Sequence, residues 1–264
     1  MSPVINHPVL GPAAPSLGWV PAPRYWLRRQ RVLDHMRTLE RGRLLEIGCG
    51  GGALLADLSR LGFDCRALET SAAARAVARA MNADTQGHRI VETAPVDWRG
   101  SFDVVAAFEV LEHIDDDVGA LRDWRDWLVD GGHILISVPA DPRKFNAADE
   151  WAGHVRRYDK EDLHKVLREA GFSVVSSETY GYPLANFLEY FRASAHQVMR
   201  KQWVHRSRDD ATAQSGVNRS LDSKVWPLYS SALGVRALRL ADSLQKRFRD
   251  NGRGNGLLVI GQRI

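Results

Sequence analysis

The stretch Leu44-Leu45-Glu46-Ile47-Gly48-Cys49-Gly50-Gly51-Gly52 decides how this chain folds. An apolar run of Leu44, Leu45 and Ile47 ends in four glycines among five residues, and a helical pattern opens at once in Ala53-Leu54-Leu55-Ala56-Asp57-Leu58. Strand, tight turn and helix follow in that order. Glycine is needed in such a turn because the backbone must enter conformations closed to other residues and must approach a ligand without an intervening Cβ. The amides at the helix start then face that ligand.

Two ligand classes use a turn of this kind. Gly48-x-Gly50-x-x-Ala53 satisfies the dinucleotide fingerprint, and Glu69 lies near the ribose-binding distance beyond it. Glu46 separates the two. A carboxylate two residues before the first glycine repels a pyrophosphate but suits a ligand carrying an ammonium and a sulfonium, which describes S-adenosylmethionine.

Around the turn, strand and helix patterns alternate. Strands are expected at Arg43 to Cys49, Asp64 to Glu69, Arg89 to Thr93, Phe102 to Phe108, His133 to Val138, Phe172 to Thr179 and Leu257 to Gln262. Helices are expected at Arg24 to Glu40, Ala53 to Leu61, Ala72 to Met81 and Val110 to Val129, with a further one capped by Asp159 and closed by Gly171. Such alternation implies a parallel sheet covered on both faces.

The segment Glu46 to Gly52 resembles the E/D-x-G-x-G-x-G motif of class I S-adenosylmethionine-dependent methyltransferases. The likeness runs from Arg43 to Gly181, about half the chain, through FDVVAAFEVLEHI at Phe102 to Ile114 and GGHILISVPA at Gly131 to Ala140. It implies an α/β, Rossmann-like, doubly wound sheet of seven strands, the last antiparallel. It also implies cofactor contacts from Glu46, Gly48, Cys49, Gly50 and Gly52 in the turn and from the carboxylate of Glu69 to the ribose. Backbone groups near Ala94 are expected at the adenine edge, and the carbonyl of Phe108 at the cofactor's amino group.

Glu109-Val-Leu-Glu112-His113 is the next informative stretch. Read as a helix, its spacing puts two carboxylates and an imidazole on one face, a donor set suited to Mg²⁺, Mn²⁺ or Zn²⁺. The string resembles the E-x-x-E-H of ubiquinone-pathway O-methyltransferases and of small-RNA 2′-O-methyltransferases. Those families add a later histidine, and His154 stands where it would be. Acids at a helix start also favour the macrodipole on their own account. The expectation is therefore either a divalent ion on Glu109, Glu112, His113 and His154, or His113 or His154 acting as a general base. Arg156 and Arg157 are expected near an acidic acceptor group or in solvent.

Composition frames the rest. Hydrophobic residues make up 44% and charged residues 26%, an ordinary globular balance. Two cysteines, Cys49 and Cys65, give neither a disulfide framework nor metal-type spacing, which points to a reducing, cytoplasmic setting. No apolar run reaches membrane-spanning length, and the first ten residues lack the pattern of a signal peptide.

Four segments are expected: a proline-rich arm and helix over 1–42, with Tyr25 and Trp26 as lid residues or plain packing; the cofactor-binding core over 43–180; a helical insertion over 181–256; and the final strand over 257–264. From Gly181 to Gly256 there are 13 Lys and Arg against 6 Asp and Glu, whereas the remainder holds 23 against 26. Leu233, Ala237, Leu240, Leu244 and Phe248 form one apolar stripe there, and Leu184, Leu188, Phe191, Ala195 and Val198 another. The insertion is thus expected to cap the acceptor site and to meet an anionic membrane surface, an amphipathic acidic partner or a second copy of the chain. The polar stretch Arg206 to Arg219 within it is expected to form a loop.

The sequence reading is methyl transfer to an oxygen on a hydroxylated small-molecule or lipid-like acceptor. RNA methylation is the alternative, weakened because the insertion has no recognisable nucleic-acid module. A non-catalytic S-adenosylmethionine-binding protein is the other.

Overall fold

The computed structural model describes residues 3–84, 89–200, 205, 207–208, 211–212 and 219–264, so most of the polar 206–219 stretch lies outside the described residues. The strand entering the glycine turn, β3 (Arg43–Ile47), is apolar on both faces because it is central. It pairs in parallel with β4 (Asp64–Leu68) on one side and β6 (Phe102–Phe108) on the other. β5 (Ile90–Val91), shorter than its sequence pattern, extends the sheet beyond β4. Beyond β6 come β7 (Leu128–Pro139), β9 (Gly256–Arg263) and β8 (Phe172–Tyr180), with β9 antiparallel to both neighbours. The order β5-β4-β3-β6-β7-β9-β8 reverses direction at β3 and β6, the crevice where doubly wound sheets bind ligands.

Alternation along β6 distributes the core. Val104 and Ala106 face the layer of α1 (Pro23–Met36), α2 (Ala53–Arg60) and α3 (Ala72–Met81). Val105 and Ala107 face Leu121 and Trp124 of α4 (Asp117–Trp127) and Leu163 and Leu167 of α6 (Lys160–Glu169). The N-terminal arm is not loose chain. It contains a short hairpin, β1 (Ile5–His7) with β2 (Gly11–Ala13), and buries Leu10, Ala14, Trp19 and Val20.

A third cluster ties this arm to three more helices: α7 (Leu184–Val198), α8 (Ser220–Tyr229) and α9 (Ala232–Phe248). Leu10, Trp26 and Leu27 pack with Ala185, Tyr229, Leu238 and Ala241. Trp26 is therefore a packing residue. Its Nε1 donates to the Val9 carbonyl at 3.0 Å, and it forms no lid.

Two other expectations are corrected. The helix read from Val110 begins only at Asp117, where Asp116 accepts the Gly119 amide as N-cap. Before it lies a single 3-10 turn, Leu111–His113, entered through Glu109 at φ 60°. The buried face of α9 is Leu238, Ala241 and Gln245, whereas Leu233 and Leu240 of the predicted stripe are 76% and 63% exposed. The polar Gln245 belongs inside because its oxygen accepts the Gly181 amide at 2.9 Å and its nitrogen donates to the Leu27 carbonyl at 3.0 Å.

Candidate active site

The site starts with the backbone at the carboxyl end of β3. Gly48 takes φ 65° after donating its amide to Leu68, and a Cβ there would lie 2.6 Å from Val110 Cγ2. Gly52 takes φ 72° against Asn82 and Ala78 of the α3 segment. Both positions are closed to side-chain-bearing residues by conformation and by space. Glu69 fixes the turn from the neighbouring strand end. Its two oxygens accept the amides of Gly50 and Ser71, each at 2.8 Å, and keep lone pairs for further donors. Trp19 of the N-terminal arm lies over Gly51.

Beneath the turn, Glu46 is 3% exposed and its Oε2 has no partner. Burial pushes its carboxyl up to about 8, and Arg28 is the cation that most opposes this. Cys49 is buried in the same turn, and burial raises its thiol so that it stays neutral and inert. Glu46, Gly48, Cys49, Gly50, Gly52 and Glu69 thus share one corner of the sheet. Phe108 closes that corner from the end of β6, and Ala94 lies in the turn after β5, half-buried. Glu92 beside it is engaged by Arg75 at 2.8 Å.

The second group of residues divides in a way the sequence did not indicate. Glu109, at φ 60°, is drawn into other contacts although it stays close enough to act on Glu112 and His154. It is held by Arg24 at 2.8 Å and Arg28 at 3.4 Å, and accepts hydrogen bonds from the hydroxyls of Tyr180 and Ser137. Burial alone would raise its carboxyl; the two guanidinium groups and Tyr180 hold it down at about 2. Among the described residues, the group close enough to share a metal ion does not include Glu109.

Glu112, His113 and His154 do converge, each offering an atom within 4.8 Å of the others. Glu112 is fully buried with both carboxylate oxygens unpartnered, and burial together with nearby Glu109 raises it well above the ordinary range. His154 Nε2 lies 3.8 Å from Glu112, and the two imidazoles stand edge to face at 4.7 Å. Each ring is oriented through its other nitrogen. His154 Nδ1 is 2.7 Å from Asp149, and His113 Nδ1 is 3.3 Å from the Gly153 carbonyl. That arrangement protonates Nδ1 and leaves Nε2 as the acceptor. Burial, with His154 alongside, lowers His113 to about 4, so it is neutral.

Asp149 organises this wall. It caps α5 (Ala147–Ala152) in a capping box with Asn146 while accepting from His154 and Arg157. Arg157 is buried between Asp149 and Glu189, and Arg156 pairs with Asp117 at 2.7 Å. Both arginines are engaged by carboxylates of the chain itself. Sequence reasoning missed Asp149, although Asn146-Ala-Ala-Asp149 carries the capping-box spacing. It also missed Arg24, Arg28 and Glu189, whose partners lie far along the chain. A separate cavity of about 470 Å³ lies near the β8 edge, bounded by Pro142, Tyr158, Glu178 and Arg249, and contains none of the residues above.

Comparison with known proteins places this corner in context. A family model described as a methyltransferase domain matches residues 24–177, more than half of the chain. The chain belongs to that methyltransferase-domain family. A ubiquinone biosynthesis O-methyltransferase of Acinetobacter baylyi is 28% identical over 152 residues, covering 54% of this chain and 64% of that protein. One from Albidiferax ferrireducens is 30% identical over 147 residues, covering 53% and 58%. The matched region thus spans less than two thirds of these relatives' own length.

An S-adenosylmethionine-dependent methyltransferase of Mesorhizobium loti superposes with a TM-score of 0.53 over 92% of this chain and 98% of its own, at 17% identity. A [4+2]-cyclase, SpnF, gives 0.55 over 90% and 81% at 18% identity. These two likenesses show the fold. The methyltransferase domain here is an S-adenosylmethionine-dependent one. The glycine turn with Glu46 and Glu69 is the corner that the sequence reading gives to the cofactor.

Glu46 gives this domain a proton signature. At pH 7 a carboxyl raised to about 8 is mostly protonated, and a ligand ammonium brought against it ionises it. Calorimetry of adenosylhomocysteine binding at pH 7, in two buffers of different ionisation enthalpy, is expected to show about one proton released. Glu46→Gln is expected to release none.

Proposed function

We propose that the domain transfers the methyl group of S-adenosylmethionine to a hydroxyl oxygen of a small-molecule or lipid-like acceptor, at the side of the cofactor corner formed by Glu112, His113 and His154. The observation that carries this is Glu112, a fully buried carboxyl group with neither oxygen hydrogen-bonded, within 4.8 Å of a ring nitrogen of both His113 and His154. A buried carboxyl group with no hydrogen-bond partner is costly, and a site of this kind is held by the fold for a ligand. The O-methyltransferase names of the relatives support the choice of oxygen.

In the transfer, the acceptor oxygen forms a bond to the methyl carbon as the carbon–sulfur bond breaks, and adenosylhomocysteine leaves as a neutral thioether. The sulfonium is already activated, so the chain's task is alignment and removal of the hydroxyl proton. His154 suits the proton: Asp149 holds its Nδ1–H and stabilises the imidazolium that forms. Glu46 would hold the cofactor's ammonium, and Arg28, which acts on Glu46, its carboxylate. Glu69 has lone pairs left for the ribose hydroxyls.

The donor set also fits a divalent ion. Glu112 supplies a carboxylate and His113 and His154 two imidazoles, with His154 backed by Asp149 in the manner of a metal-ligand histidine. When bound, a cation there lowers the pKa of an acceptor hydroxyl. Exhaustive chelation is expected to lower methyl transfer, with recovery on adding Mg²⁺, Mn²⁺ or Zn²⁺. Full activity after chelation, with no metal in elemental analysis, would leave His154 as the base alone.

The outer face of the helical segment supports a membrane-side acceptor. Phe187, Tyr190 and Phe191 are 62%, 72% and 55% exposed on α7, and Leu240 and Leu233 are exposed on α9 beside Arg236 and Arg239. Apolar side chains among cations are the pattern of interfacial helices. No helix among the described residues is long and apolar enough to cross a membrane, so the contact proposed is peripheral, at a cytoplasmic leaflet. The chain is expected to float with anionic vesicles at low salt. Arg236→Gln, Arg239→Gln and Phe191→Ser together should abolish flotation and leave cofactor binding intact. Failure of the unmodified chain to float would remove the membrane from the account.

A further inference from the structure

Four guanidinium groups converge on the wall between α1 and the helical segment, and two of them lack adequate counterions. Arg24 is neutralised by Glu109 and Glu189, and Arg28 shares Glu109. Glu189 and Asp149 are further engaged by Arg157. That leaves Arg192 on α7 and Arg219 just before α8.

Among the described residues Arg192 makes no ion pair or hydrogen bond; its guanidinium lies over the Trp151 ring at 5.8 Å. Arg219 lies over Trp19 at 5.9 Å, with Asp222 as its nearest carboxylate at 3.9 Å and its Nε buried without a partner. The surroundings repeat the pattern. Trp19 meets Tyr25 edge to face at 5.3 Å, and Arg28 lies over Tyr25 at 5.6 Å. The Tyr25 hydroxyl and the Arg28 Nε are both buried and unpartnered. Burial, with neighbouring Arg24 and Arg219, pulls Arg192 below the ordinary guanidinium range against the opposing pull of Glu189 and Asp149. For Arg219, burial and Arg28 outweigh the opposing pull of Asp222. Among the described residues, two stacked cations, one with no direct ion pair and one with a single carboxylate at 3.9 Å, lie beside the unpartnered donors of Tyr25, Arg28 and Arg219, a set of groups suited to an anion.

The cofactor contributes one carboxylate, and Arg28, the arginine acting most strongly on Glu46, is placed for it. Arg192 and Arg219 come from different elements and stack on different indoles. We propose that they bind an anionic group of the acceptor, a carboxylate or a phosphoryl group, and so orient its hydroxyl toward the cofactor corner. The acceptor is then an amphiphile with a hydroxyl at one end of the contact and a negative charge at the other. This inference rests on reading the cleft beside Glu112 as the acceptor side.

The test is thermal unfolding of the full chain saturated with adenosylhomocysteine, with benzoate, inorganic phosphate, neutral benzamide or chloride added at equal ionic strength. Benzoate or phosphate is expected to raise the melting temperature by about 3 °C where chloride and benzamide do not. A rise with benzoate alone assigns a carboxylate, and one with phosphate alone a phosphoryl group. Arg192→Gln and Arg219→Gln, singly and together, are expected to remove the rise while adenosylhomocysteine affinity, measured separately by calorimetry, is unchanged. No response to either anion, or an equal response in the double variant, would overturn the proposal. If a variant fails to fold, the response of the unmodified chain to the anions against benzamide decides. Loss of adenosylhomocysteine binding by the unmodified chain would instead sink the underlying reading of the site.

Discussion

Everything in this molecule is arranged around a backbone constraint at the end of β3. The chain must leave the central strand, turn within a few residues and enter α2, and Gly48 and Gly52 meet that demand at φ 65° and 72°. Glu69 locks the turn by accepting two of its neighbourhood's amides. The sheet order then places the ends of β4, β6 and β7 around the same point. The N-terminal arm reaches it too, through Trp19 over Gly51.

The site built on that turn is electrostatically incomplete in three places. Glu46 keeps one buried oxygen without a partner, Glu112 keeps both, and among the described residues Arg192 has no direct ion pair and Arg219 a single carboxylate at 3.9 Å. Elsewhere buried charges are matched closely. Arg31 holds Glu178 through two hydrogen bonds at 2.7 and 2.9 Å, and Arg29 holds Asp57 in the same bidentate manner at 2.5 and 2.8 Å. The contrast carries the functional argument, since a fold that satisfies its structural ion pairs leaves charges open where ligands enter.

The turn was legible in the sequence because its requirements are local: glycines, an apolar strand before them and a helical pattern after. The sheet was legible for the same reason, through alternation of short apolar runs with helical periods. Spacing failed where one residue took an unusual conformation. Glu109 at φ 60° broke the helix that would have set it beside Glu112 and His113, and no pattern of residue types announces that. The α9 stripe was misread because its inner face contains Gln245, a polar residue buried for two backbone hydrogen bonds. The arginine wall was invisible because Arg24 meets Glu109 and Glu189 across separations of 85 and 165 residues.

The central claim is that Glu46 and Glu69 fix the two ends of the cofactor, so that its methyl group is presented on the side of Glu112 and His154. A crystal structure of the chain with adenosylhomocysteine tests it most directly. The account predicts the ligand's ammonium hydrogen-bonded to Glu46, directly or through one water, its ribose hydroxyls on Glu69, and its sulfur facing the cleft lined by Glu112 and His154. A complex in which Glu46 still lacks a nitrogen or water partner, or in which the sulfur faces away from that cleft, would contradict it.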